Sequence, residues 1–378
     1  MTLQTWERWR EAVVAEGMTF AAAPEYHVFP TRERPLTPYQ AVERATRETV
    51  GLVREVAPHA VVSDILTLAP ALAGELEGVP VATLIPHTDP RMPPRTPPYS
   101  CGARLPRTPV GRALWGATAP LLRHGLALGR DELNETRRRL ELPPLGRVHG
   151  GISEDLCLVA TFPQLEYPRN WPPNTHVVGP LLWEPPAEGV QPPPGDAPLV
   201  LLAPSTSQDA EHRLLRAALA GLADMPVRVL ASVNRSRPDP PFGVPPNATL
   251  VDWLSYSETM PACDVVICHG GHGTVARALA SGCVVLVVPA AGDMNENAAR
   301  IEWAGVGVRL PRRMVTARAI ALATGRALAR GGVRARARDL QAWAAANDGP
   351  ARAAQLVEAW AIRGGSGSNG CFAVSASR

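Results

Sequence analysis

The sequence predicts an α/β protein made of two Rossmann-like, doubly wound domains that face each other across a cleft. Three observations lead there. Short apolar runs rich in Val, Leu and Ala alternate with helical patterns along the chain, the rhythm of parallel strands joined by crossover helices. At 378 residues the chain exceeds what a single hydrophobic core usually supports. The stretch WEPPAEGVQPPPGDAP, 183–198, is too dense in Pro and Gly for the interior of an element, so it reads as a linker that divides the chain nearly in half.

In the first domain, 1–182, the runs HAVVSD (59–64), VPVATLI (79–85), LCLVATF (156–162) and THVVGPL (175–181) read as strands. Segment 85–109 carries too many prolines for regular structure and reads as a loop at the mouth of the cleft. The pattern restarts after the linker: LVLLAPSTS from Leu199, a helix over 209–222, VRVLASV from Val227, ATLVDWL from Ala248, DVVICHGG from Asp264, a helix from Thr274, CVVLVVP from Cys283 and a helix near Asn295. That is a second doubly wound unit, 199–346, followed by a helix over 347–362 expected to pack back on the first domain and a linker-like, flexible tail over 363–378. Open α/β folds of this kind place ligands at the carboxyl ends of their strands.

Composition narrows the function. Hydrophobic residues make up 46% and charged residues 19%, which suits a folded domain and excludes a disordered chain. A net charge of +3 from 38 basic and 35 acidic residues supplies no nucleic-acid-binding face. The clusters RRR (137–139) and RARAR (334–338) sit in helical, Ala- and Leu-rich stretches and read as solvated helix faces. The cysteines at 101, 157, 263, 268, 283 and 371 form no CxxC pair, and no apolar run approaches the roughly 18 to 20 residues a membrane span needs, so a reduced, cytoplasmic protein without an integral membrane segment is expected.

The segment CHGGHGTVARALASGCVVLVVP, from Cys268, carries the chemistry. DVVIC is a buried strand, HGGHG a turn and TVARALAS a helix closed by Gly282. A helix start behind a glycine turn offers unpaired amides and the positive end of the helix dipole, which suits a phosphate or diphosphate. The competing reading is a tight turn with Thr274 as N-cap. His269 can donate to an anion, whereas HxxH lacks the i, i+4 spacing and the acidic complement of a metal site. No Lys follows the glycines as in a Walker loop, and GGHGTV is not the GxGxxG of a dinucleotide fold.

From about residue 199 to 310, and more loosely over most of its length, the chain resembles a family 1 glycosyltransferase of the GT-B fold, of the bacterial natural-product type. DWLSYSETMPACDVVICHGGHGTVARALASG and VVLVVPAAGDMNENAARIEWAGVGVRL carry the resemblance. It implies that Trp253, with Leu254 beside it, stacks on the base of a nucleoside diphosphate sugar. His269, Gly271, Gly273 and Thr274 would hold the diphosphate without a metal, Ser205 and Thr206 would add a phosphate contact, and Asp293 would accept the sugar hydroxyls. Read alone, Trp253 could be core, Asp293 a helix N-cap and Ser205 a turn residue. Met294 stands where relatives often have Gln and Arg277 where many have Glu, so UDP and TDP, hexose and deoxyhexose all stay open as donors.

The opening stretch MTLQTWERWREAVVAEGMTF is similar to the family's second strand and the helix after it, which puts the family's first strand and catalytic histidine loop outside this chain. Asp64 matches the carboxylate that orients that histidine, and reads equally as an N-cap for the helix after it. His27 and His87 lie near first-half strand ends and could stand in as base, although ordinary loop histidines are the stronger reading. The expected function is metal-independent, inverting transfer of a hexosyl or deoxyhexosyl group from a UDP- or TDP-sugar to a hydroxyl of a small, largely apolar acceptor, with no cofactor and with a homodimer allowed. The alternative is a catalytically impaired nucleotide-sugar-binding homologue acting as an auxiliary partner. A sugar-nucleotide epimerase or hydrolase on the same scaffold is a weaker third. With a buried first strand missing, the first domain is expected to be the less stable.

Overall fold

The computed structural model describes residues 1–24, 40–186, 189–205, 212–234 and 243–365. His27, Thr206 and residues 366–378 of the expected tail lie outside them, while 363–365 continue the last helix. The chain opens with β1 (Thr2–Thr5), α1 (Arg10–Ala15) and β2 (Thr19–Ala22), whose strands pair in parallel as a separate two-stranded sheet. The long helix α2 (Gln40–Val56) buries Ala41, Ala45 and Val53 and leads into β3 (Val61–Asp64), α3 (Leu68–Leu76) and β4 (Val81–Ile85). After the proline-rich segment come α4 (Pro109–Ala117) and α5 (Ala119–Arg139), then β5 (Cys157–Val159) and β6 (Thr175–Val177). Strands β3-β4-β5-β6 form a parallel sheet in that order.

The second half holds β7 (Leu199–Ala203), α6 (Arg213–Leu222), β8 (Arg228–Ser232), β9 (Ala248–Val251), the single turn α7 (Tyr256–Thr259), β10 (Val265–Cys268), α8 (His272–Ala280), β11 (Val284–Val287), α9 (Asp293–Ala304) and β12 (Gly307–Arg309). Its sheet runs β12-β11-β10-β7-β8-β9, all parallel. The period-2 alternation of strands explains why their sequences are apolar throughout. Leu199, Leu201, Val266, Cys268, Val285 and Val287 point to one face, against Val275 and Leu279 of α8 and Ile301 of α9. Val200, Leu202, Val265, Ile267, Val284 and Leu286 point to the other, against Leu215 and Leu219 of α6 and Ile320 of α10 (Ala317–Ala329).

Helix α11 (Gly331–Ala346) brings Leu340 onto the first face, and α12 (Gly349–Gly365) lays Leu356, Val357 and Trp360 against Ala82, Leu158 and Val178 of the first-half sheet. The stretch after β6 is fastened at several points. Trp183 donates its indole N–H to Glu16 (2.8 Å) and meets Trp9 edge-on, and Glu184 accepts the backbone N–H groups of Tyr256 and Ser257 at the start of α7 (2.8 Å each). The solvated-face reading of the first arginine cluster holds for Arg138 and Arg139, both paired with Glu135, and fails for Arg137. Arg137 is 2% exposed, and its guanidinium forks onto both oxygens of Glu75 at 2.6 Å and caps Pro143 O. Composition alone could not separate three adjacent arginines that point in different directions around a helix.

Burial is uneven between the sheets. Every residue of β7, β10 and β11 is buried, whereas β1, β2 and β3 are mostly half-exposed, with Val62 43% open to solvent. Neither β1 nor β3 pairs on its second edge with any described strand. Amides of β1, β2 and β3 should therefore exchange faster than those of β7 and β10 under native conditions, as hydrogen–deuterium exchange with mass spectrometry would read. Equal protection would contradict this ranking.

Candidate functional site

The turn between β10 and α8 lies at the carboxyl end of β10, a central strand of the second sheet. Gly270 has φ +89°, which excludes most side chains, and a Cβ there would also meet Val287 at 2.8 Å and the carbonyl of Met294 at 3.1 Å. A Cβ on Gly271 would lie 2.5 Å from Nε2 of His269, so this glycine is what lets the imidazole lie over the turn. Gly273 is exposed, with open space where its Cβ would be.

Helix α8 starts at His272, two residues earlier than the sequence suggested. Its N-cap is Gly271, which has no side chain to offer, and the first amide with an intrahelical partner is Val275, bonded to Gly271 O at 3.1 Å. The N-cap reading of Thr274 thus falls, because it is the third helical residue, and the amides of His272, Gly273 and Thr274 lie in the unpaired first turn. Asp293 is likewise not a cap. It is the first residue of α9 behind Gly292.

His269 sits one residue beyond β10, half-buried, with Nδ1 3.4 Å from Ala203 O at the end of the neighbouring β7. Burial lowers its pKa below the ordinary histidine value, opposed by the Ala203 carbonyl and the Asp293 carboxylate. Ser205, two residues beyond β7, shares with His269 a small cavity of about 20 Å³ that also touches Arg213 and Arg312. Those two arginines escaped the sequence reading, since only the fold brings them beside the turn. Trp253 lies two residues past β9, 37% exposed, which removes the core reading for its ring. Leu254, by contrast, buries its side chain in the core at 2% exposure, so only its backbone can face a ligand. Met294 presents its backbone to Gly270. Three strand spacings, about 14 Å, separate β10 from β9.

Arg277 turns away from this surface. It donates to Leu182 O and lies 3.8 Å from Glu184, which fixes α8 to the stretch after β6. The second histidine of the motif also has another task. His272 is buried, with Nε2 3.3 Å from Ala160 O at the end of the first-half strand β5 and Nδ1 3.4 Å from Oδ1 of Asn297, whose amide donates to Gly270 O (2.9 Å).

On the first-half side, Asp64 ends β3, and its Oδ1 accepts the N–H of Leu66 at 2.7 Å. Thr67, not Asp64, is the N-cap of α3, so the helix-cap reading gives way to a turn. Burial raises the Asp64 pKa, against the Leu66 amide and the nearby His87. His87 follows β4, the strand beside β3, with Nδ1 2.7 Å from Thr88 O and 3.2 Å from the Tyr99 hydroxyl. Tyr99, deep in the proline-rich loop, went unnoticed in the sequence. Burial raises its pKa, and Asp293 of the second half acts on it as well.

Residues 216–360 match the family model described as the erythromycin biosynthesis protein CIII-like C-terminal domain. The PGL/p-HBAD biosynthesis glycosyltransferase of Mycobacterium tuberculosis is 30% identical over 329 residues, which cover 81% of this chain and 70% of that one. The chain belongs to the family 1 glycosyltransferases of natural-product type. A second relative of this glycosyltransferase chain, the 4'-demethylrebeccamycin synthase of Lentzea aerocolonigenes, is 31% identical over 241 residues, 61% of this chain and 56% of its own. The chain thus spans little more than half of that relative. Among solved structures, the glycosyltransferase of kitacinnamycin superposes with TM-score 0.73 at 18% identity, covering 95% of this chain and 91% of its own. The glycosyltransferase VinC, solved in complex with dTDP, superposes with TM-score 0.65 at 18% identity over 96% and 92%. These likenesses show the GT-B fold for this glycosyltransferase chain. No described helix is long and apolar enough to cross a membrane.

Burial holds His272 neutral, with its pKa lowered to about 4. A depressed base stabilises the fold fully above the unfolded value near 6.5 and loses that contribution as pH falls toward about 4. The loss amounts to on the order of 3 kcal/mol. Urea midpoints at pH 7.5 and pH 5 should therefore differ by less in His272→Gln than in the parent, and an equal difference in both would contradict this assignment.

Proposed function

We propose that the chain transfers a hexosyl or deoxyhexosyl group from a UDP- or TDP-sugar to a hydroxyl of a small, largely apolar acceptor, by a metal-independent, inverting displacement. The observation that carries this reading is the open first turn of α8, with the His269 ring laid over it, at the carboxyl ends of a parallel sheet. That arrangement suits a diphosphate.

In this reading the amides of His272, Gly273 and Thr274 and the ring of His269 bind the two phosphates and take up the negative charge that develops as the bond from the anomeric carbon to the diphosphate oxygen breaks. Ser205, with Thr206 beside it in sequence, adds a hydroxyl to that cradle. Trp253 stacks on the base, the backbone of Leu254 lies beside it, and Asp293 receives the sugar hydroxyls next to Met294. The acceptor oxygen attacks the anomeric carbon from the opposite face while its proton leaves to a base beside Asp64. His87 is the described imidazole near that carboxylate, and with Nδ1 directed at Thr88 O its Nε2 is the nitrogen left to take a proton. The dTDP complex of VinC supports a nucleoside diphosphate as the ligand class.

Calorimetric titration with UDP and TDP in EDTA tests the donor site. Binding should occur, weaken by roughly ten- to a hundredfold in His269→Ala, as expected for a hydrogen bond to a charged group, and take up protons near neutral pH. The sign follows from the lowered pKa of His269 in the free protein, which a bound diphosphate raises. A folded chain that binds neither nucleotide would overturn the donor site. Asp64→Asn should leave nucleotide affinity within about twofold and lower the transfer rate by about 10²- to 10⁴-fold. Unchanged transfer would remove Asp64 from the mechanism.

A further inference from the structure

Arg300, on α9, is the largest fully buried side chain among the described residues, at 1% exposure. A guanidinium so placed must have every donor occupied and its charge matched. Nε donates to Glu296 on the preceding turn of its own helix (2.8 Å). The other contacts all reach the first half of the chain: Nη1 to a carboxylate oxygen of Glu166 (2.8 Å) and to Leu165 O (3.0 Å), Nη2 to Asp89 O (3.5 Å) and the sulfur of Met92 (3.6 Å). The ring of Tyr167 covers its face at 4.4 Å.

The contacts continue into the proline-rich loop. Glu166 accepts the N–H of Asp89 (2.8 Å), and Arg169 pairs with both Glu166 (3.2 Å) and Asp89 (3.5 Å). Arg91 forks onto the fully buried Asp89 and continues to Thr175. Three guanidinium groups, Arg91, Arg169 and Arg300, thereby meet three carboxylates, Asp89, Glu166 and Glu296, with no net charge. Further along the loop, Arg104 pairs with Glu302 of α9 (2.5 Å) and Arg309 donates to Gly102 O.

Arg300 stands seven residues, two helical turns, after Asp293, whose carboxylate acts electrostatically on His269. On the other side of the cluster, Asp89 stands two residues after His87 and ten before Tyr99. We propose that Arg300 is a positioning residue: through Glu166 and Asp89 it fixes the proline-rich loop, with His87 and Tyr99, against α9 and so sets the distance between the donor-sugar end of the site and the acceptor end. The catalytic part of this inference rests on the transferase reading given above, whereas the latch itself does not.

Two variants test it: Arg300→Met, which keeps length and removes the charged fork, and Glu166→Gln, which keeps shape and removes the first-half charge. Either should fold and bind TDP or UDP within about twofold of the parent, because the groups proposed to hold the nucleotide all belong to the second half of the chain. Both should show a larger radius of gyration by small-angle X-ray scattering and at least tenfold faster hydrogen exchange over 86–104. With UDP-glucose or TDP-glucose, whichever the parent consumes, kcat should fall at least tenfold with little change in KM, and Arg300→Lys should recover part of the loop protection and of kcat. Should Arg300→Met not fold, Glu166→Gln carries the same comparison. Parent-like scattering and loop exchange in a folded variant would overturn the latch. An opened latch with parent-like kcat would overturn the positioning role. A parent that binds no nucleotide would instead sink the transferase reading, and the scattering and exchange results would still decide the latch.

Discussion

The site depends on one constraint, the approach of the backbone to itself where β10 becomes α8. Strand β10 is buried and pairs with β7 and β11, so the point where its chain emerges is fixed to within a hydrogen-bond register. Two glycines then shape the turn. Gly270 takes a left-handed backbone beside Val287 and Met294, and Gly271 leaves room for the ring of His269. A side chain at either position would push α9 or the imidazole away from the amides. The open first turn of α8 is therefore a consequence of sheet packing as much as of the motif.

The same packing joins the halves of the molecule. Phe162 and Leu165, just after the first-half strand β5, sit in the core cluster of the second half, and Phe162 meets Trp343 of α11 at 5.7 Å between ring centroids. His272 reaches Ala160 O from the start of α8, and α12 packs against the first-half sheet. Both faces of the cleft are thus referred to one interface. The polar part of that interface, around Arg300 and Glu166, lies under the proline-rich loop, so the irregular backbone of that segment has a charged foundation rather than an apolar one. Gly102, with φ +66° and Asn295 only 2.8 Å from where its Cβ would lie, marks the point at which the loop touches α9.

Much of this was readable in advance because the strands are short, apolar and bounded by Gly and Pro. The four strands of the first-half sheet and the apolar strands of the second fall where the runs HAVVSD through CVVLVVP placed them, since residues buried on both faces of a parallel sheet leave little ambiguity. Helix starts were less legible. His272 and Gly273 resemble turn residues by composition, yet the first turn of α8 already includes them. Polar residues whose role depends on distant partners were not legible at all. Nothing local separates the buried Arg137 and Arg300 from exposed arginines on neighbouring helices, and the placement of Tyr99, Arg213 and Arg312 beside the cleft follows only from how the loop and the strand ends converge. His269 could be singled out because a glycine turn and a strand end coincide in one short motif.

The most direct test of the central claim is a crystal structure of the chain grown with TDP or UDP. The account predicts the diphosphate oxygens within hydrogen-bond distance of the amides of Gly273 and Thr274 and of the His269 ring, with the base against Trp253. A nucleotide bound elsewhere, or with its phosphates directed away from the start of α8, would contradict it.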